Sequence, residues 1–146
     1  MRLWDFCFVS AALASLSGIS AGIAMGITQD FTLAPAHAHL NLLGWVTMAL
    51  IGLYYRGAVT AWRRLARVQV SLAALGFWVM PLSLGGYLWT GNDAYGQGLM
   101  IGAFAALAAM VLFAAVVVLD IRDRRRQGAA RAAAGPSLRL GEPGRA

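Results

Sequence analysis

Four apolar runs set the terms for this chain: Phe6–Gly26, Ala36–Tyr55, Leu65–Trp89 and Tyr95–Leu119. A helix that crosses the hydrocarbon core of a bilayer needs about 20 mostly apolar residues, and each run is of that order. Backbone polar groups in lipid are paired only within helices or closed barrels. The expected fold class is all-α: an integral membrane four-helix domain over residues 1–126, with helices at 6–26, 36–55, 65–89 and 95–119. Charged residues make up 12% of the chain, against about 25% in an ordinary soluble domain, so no separate soluble domain is expected. Residues 127–146 are mostly Ala, Gly, Pro and Arg and are expected to form a disordered basic cytoplasmic tail.

The net charge is +6, and all 12 basic residues are arginine. Their positions argue for topology and against nucleic acid. Arg2 precedes the first run, Arg56, Arg63, Arg64 and Arg67 flank the second connection, and Arg122, Arg124, Arg125 and Arg126 follow the fourth run. The other two connections, 27–35 and 90–94, carry Asp30 and Asp93 and no basic residue. Arginine-rich flanks stay on the cytoplasmic side. The expectation is a multi-pass protein of a bacterial inner membrane, both termini cytoplasmic, with membrane lipid as its immediate partner. The absence of lysine beside abundant Ala, Arg and Gly points, by composition, to a GC-rich bacterial genome. The single Cys7 allows no intrachain disulfide. The first run exceeds the ~7–15 residues of a signal-peptide core and is expected to stay as a membrane helix.

Along the chain, Gly18, Gly22 and Gly26 recur every four residues beside Ser10, Ser17 and Ser20, a groove for close approach of another helix, from this chain or a second copy. Pro35 suits the start of the second helix, along which Gly44 and Gly52 repeat small positions. Tyr54, Tyr55, Arg56 and Trp62 are expected as an inner interfacial belt, and Tyr87, Trp89 and Tyr95 as an outer one. Pro81 is expected to kink the third helix, with Gly85 and Gly86 loosening its last turn.

The two histidines, His37 and His39, lie in "APAHAHLNLLGW" at the outer end of the second helix. Ionisable groups within a span are costly and usually functional. Residues two apart on a helix point about 200° apart, so the pair cannot close one metal site from one regular helix. Each imidazole serves a separate site or meets a histidine of another copy. Asn41 adds a hydrogen-bonding group two positions beyond His39. Neutral imidazole ligates haem iron, copper or zinc. No thiol or carboxylate lies near enough in sequence for a four-ligand zinc site. Bis-histidine haem b needs two imidazoles and an apolar slot, which Trp45, Phe31 and the glycine groove are expected to line. Copper stays open, with Met25, Met48, Met80 and Met100 as soft ligands.

The stretch "HAHLNLLGWVTMALIGLYYR", His37 to Arg56, resembles short bacterial membrane proteins grouped with the catalytic subunit of haem–copper oxidases and nitric-oxide reductases. The resemblance covers the second helix well and the four-helix layout loosely. It implies one arc of a subunit I-like fold, in which twelve helices form three arcs of four and a His-x-His pair ligates haems in two neighbouring pores. Carried over, His37 and His39 are the ligands. The family's adjacent-histidine copper site, its His with a cross-linked Tyr and its proton-channel carboxylates have no counterpart here. Four helices being one third of twelve, the implied assembly is a homotrimer, each pore taking His37 from one protomer and His39 from its neighbour. The implied role is electron transfer or binding of oxygen or nitric oxide, with a respiratory-chain partner and an oxidoreductase activity left open. The alternatives are a copper-binding protein and a cofactor-free accessory or assembly subunit.

Overall fold

The computed structural model describes residues 2–57 and 62–133. It is all-helical there, with four helices long and apolar enough to cross a membrane: α1 (Leu3–Thr28), α2 (Ala34–Gly57), α3 (Arg63–Thr90) and α4 (Tyr95–Ala133). This is the build of a multi-pass membrane protein. The expected runs fall inside these helices, each observed helix being longer by up to a turn at its ends. The exception is α4, which continues through the arginines to Ala133. Residues 127–133, expected in the tail, are thus helical; Ala and Arg are strong helix formers and extend the helix past its apolar part. Residues 134–146 lie outside the described residues.

The turns between helices are built by short polar side chains. α1 opens with the Asp5 carboxylate accepting the Arg2 backbone N–H at 3.0 Å and closes at Gln29 in a left-handed conformation (φ 56°). In the following turn the Asp30 carboxylate accepts both the Thr32 N–H (3.0 Å) and the Thr32 hydroxyl (2.6 Å), after which Pro35 sits in the first turn of α2. These two bonds hold the exposed Asp30 carboxyl below its ordinary range. α3 stops at Gly91 (φ 64°), whose N–H reaches the Tyr87 carbonyl at 2.8 Å. Glycine takes that left-handed cap without strain. The helix passes through Pro81 unbroken.

The helices are neighbours in chain order. α1 packs on α2, α2 on α3 and α3 on α4; α1 also meets α3, where the Trp78 indole donates to Ser10 Oγ at 2.9 Å, and α2 reaches α4 through Tyr54 and Asp120. α1 and α2 mesh antiparallel: Gly22 faces His37, Gly18 faces Asn41, Gly44 faces Ala14 and Gly52 faces Cys7. The groove of α1 is therefore filled by α2 of the same chain, and Gly26 faces open space. In the α3–α4 seam a Cβ at Gly76 would collide with the Ala106 backbone, and one at Gly102 would lie 2.5 Å from the Met80 nitrogen. In lipid such backbone approach supplies the association energy that the hydrophobic effect cannot. Gly86 makes room for the Tyr95 ring, whereas a Cβ at Gly85 would meet Ala36 at ordinary van der Waals distance.

α2 is not uniform. Ala34–His39 is α-helical, Leu40–Thr47 is a π-helix and Met48–Gly57 is α-helical again. The Thr47 hydroxyl reinforces the wide segment by donating to the Leu42 carbonyl at 2.7 Å. Its consequence is read in the burial pattern. Ala36, Leu40, Gly44, Met48 and Gly52 are all buried, one every four residues. On an ideal α-helix that spacing drifts about 40° per step. The wider turn, with its i+5 bonds, takes up the extra residue.

Candidate functional site

His37 lies half-buried in the α1–α2 seam, while His39 is exposed on the other side of α2. The helix is regular from Ala34 to His39, so the two-residue spacing separates them as geometry requires. Their nitrogens are fixed in the same way. His37 Nδ1 lies 2.8 Å from the Gly18 carbonyl, and His39 Nδ1 lies 2.7 Å from the Pro35 carbonyl. A carbonyl only accepts, so both Nδ1 atoms carry the proton and donate. In the neutral imidazole each Nε2 then holds a lone pair. This is the tautomer in which histidine ligates a metal, its other nitrogen held by a backbone carbonyl.

Asn41 brackets His37. Its Nδ2 donates to the His37 carbonyl at 3.0 Å and stands 3.4 Å from both ring nitrogens. Gly18 makes this possible: a Cβ there would lie 2.5 Å from Asn41 Oδ1. A Cβ at Gly22 would lie 3.0 Å from His37 Cε1. Of the expected site residues, His37 and Asn41 are therefore brought together, and His39 and Trp45 are not part of that cluster. Trp45 is 44% exposed and Phe31 58%, both on the outside of the single chain. Among the described residues no three His, Cys, Asp or Glu side chains converge as a metal cluster. Met25, Met48 and Met80 are buried, whereas Met100 is exposed.

The other end of the bundle holds polar residues that the sequence reading placed differently. Tyr54 and Tyr55, expected in a lipid-facing belt, turn inward. Tyr55 donates to Gln69 Oε1 at 3.1 Å, and Tyr54 donates to Asp120 Oδ2 at 3.0 Å. Asp120, 6% exposed, also pairs with Arg124 at 2.8 Å. A tyrosine hydroxyl within a bundle takes a partner when one is offered, and Gln69 and Asp120 offer it. Their signal was present: a lone glutamine inside an apolar run, and the aspartate that ends one. Gln69 is fully buried, and its Nε2 has no partner among the described residues. Tyr87, Trp89 and Tyr95, expected as the outer belt, are exposed.

Compared with known proteins, the chain matches no family model, no curated protein and no solved structure.

Proposed function

We propose that this chain is a haem-b-binding membrane protein whose His37 and His39 ligate iron through Nε2, in sites shared between copies, for electron transfer or for binding oxygen or nitric oxide. One observation carries this: both imidazoles are held in the Nδ1–H tautomer by backbone carbonyls, and they face opposite sides of one span. Two imidazole Nε2 lone pairs fit six-coordinate haem iron, with the Asn41 amide, 3.4 Å from His37 Nε2, giving way to the metal. The ligands from one chain point apart, so a site with two of them draws on two chains, and a homotrimer in which each His37 is matched by a neighbour's His39 closes the set. Bound haem supplies a one-electron redox centre, or a gas-binding one where an axial ligand gives way. The chain's own residues hold the imidazoles in register: Gly18 and Pro35 fix the tautomers, and Asn41 fixes the rotamer of His37. The arginine distribution supports a reading with both termini in the cytoplasm of a bacterium and the histidines at the outer side of its inner membrane. A respiratory-chain partner fits that position.

A second reading, a cofactor-free or copper-binding accessory subunit, is favoured by the His37–Gly18 bond, which joins two helices whether or not a metal is present. It leaves the tautomer of the exposed His39 without a purpose.

The test is an absorption spectrum of purified protein, oxidised and reduced, with the oligomer sized in parallel. A Soret band lost in both His37→Ala and His39→Ala, on a trimeric particle, supports shared haem. Stoichiometric copper without a Soret band favours the second reading, as does neither metal with unchanged oligomer size in both variants. A holo preparation that cross-links only as monomer sinks the shared site.

A further inference from the structure

We propose that the start of α3 is a binding site for the phosphate headgroup of an anionic phospholipid. A cleft of about 610 Å³ opens there, lined by Trp62, Arg63, Arg64, Leu65 and Arg67. Three of its five lining residues are arginines and none is acidic. All three arginines are exposed. Of the other cations at this end of the bundle, three are engaged within the protein, whereas Arg122, Arg125 and Arg126, on α4, do not line this cleft. Arg124 pairs with Asp120, and Arg2 and Arg56 lie over the ring of Trp4 at 5.5 and 5.6 Å from its centroid. Arg63, Arg64 and Arg67 have no such partner among the described residues. Asp123, which accepts the indole N–H of the cleft residue Trp62 at 3.1 Å, is flanked in sequence by Arg122 and Arg124.

The ligand chemistry follows from charge and depth. A guanidinium fork matches two phosphate oxygens at once, which an ammonium does not. Arg63 and Arg67 are one turn apart, about 6 Å along the helix, so the positive charge extends from the membrane surface inward. Leu65 is half-buried, and the Trp62 indole is fixed by its bond to Asp123. These two give the cleft an apolar side that suits the glycerol and first acyl carbons of a lipid, not a free anion. Basic clefts beside membrane helices bind phospholipid headgroups in this manner. The site is independent of any haem at the opposite end.

The experiment uses the purified chain in neutral-detergent micelles, where orientation in a membrane plays no part. Phosphatidylglycerol and phosphatidylcholine are titrated and bound lipid is counted by native mass spectrometry. Each arginine near an anionic headgroup contributes about fivefold in affinity, so a saturable site is expected with a preference of at least about tenfold for phosphatidylglycerol. R63Q/R64Q/R67Q is expected to lose that preference, and R122Q/R125Q/R126Q to keep it. Unfolding temperatures without lipid report whether each variant is folded. Should the first triple variant not fold, R64Q and R67Q singly are expected to lower the preference about threefold to fivefold each. Equal binding of the two lipids by the parent chain overturns the proposal. Equal loss in both triple variants overturns it too, since diffuse charge then suffices. Displacement of the lipid by inorganic phosphate at matched concentration also overturns it, making this a free-anion site.

Discussion

His37 Nδ1 lies 2.8 Å from the carbonyl oxygen of Gly18, across the seam between α1 and α2. One bond thereby does two things. It ties the first two helices together, and in the neutral imidazole it leaves the lone pair on Nε2. His39 achieves the second without the first, because its Nδ1 is satisfied within its own helix by Pro35.

The two histidines should therefore separate in stability though not in cofactor content. His37→Ala removes an interhelical hydrogen bond and is expected to cost about 0.6–2 kcal/mol in detergent. His39→Ala, on an exposed position, should change stability little. Thermal unfolding of the haem-free protein measures both, and equal losses would show that the Gly18 bond contributes nothing.

Gly18→Ala puts a methyl 2.5 Å from Asn41 Oδ1 and should force Asn41 out of its place beside His37. Overpacking of this kind costs about 1–3 kcal/mol. Gly26→Ala, which meets open space, should be neutral or slightly stabilising in the same assay. A Gly18→Ala protein as stable as the parent would mean that α1 and α2 have room to part.

The buried Tyr55–Gln69 pair invites a double-mutant cycle. Gln69→Met alone leaves the Tyr55 hydroxyl without its acceptor and should cost about 1–3 kcal/mol. Combining it with Tyr55→Phe removes both polar ends together with the unpartnered Gln69 Nε2, and should recover most of that loss. Additive losses would contradict the pairing.

The α1–α2 turn carries a pH dependence of known sign. Asp30 is held below its ordinary 3.8 by the Thr32 hydroxyl and then by the Thr32 N–H. Its support for the turn is complete above 3.8 and is lost as pH falls through the lower, folded-state value. An NMR titration of the Thr32 amide should show its shift moving only below 3.8, and Asp30→Asn should abolish it. A midpoint above 3.8 would refute the assignment.

Much of the architecture could be read from the residues. The four apolar runs locate four helices because length and hydrophobicity suffice for that, and the i, i+2 spacing alone separates His37 from His39. What escaped depends on partners distant in sequence. The glycine groove of α1 was legible, yet nothing local says that His37 and Asn41 fill it. Tyr54 and Tyr55 beside Arg56 have the composition of an interfacial belt; their inward turn depends on Asp120 and Gln69, residues on other helices. The π-helix has no composition of its own, and only the four-residue recurrence of Ala36, Leu40, Gly44, Met48 and Gly52 betrays it in retrospect.

That recurrence has a consequence for handedness. Helices whose contact rows drift must coil about their neighbours, leftward or rightward according to the period. A row that repeats once per turn has no drift and so no hand. α2 can thus run as a straight edge between α1 and α3, serving both, without winding around either. Ala36, at one end of that edge, meets Gly85 of α3, and Gly52, at the other, meets Cys7 and Phe8 of α1.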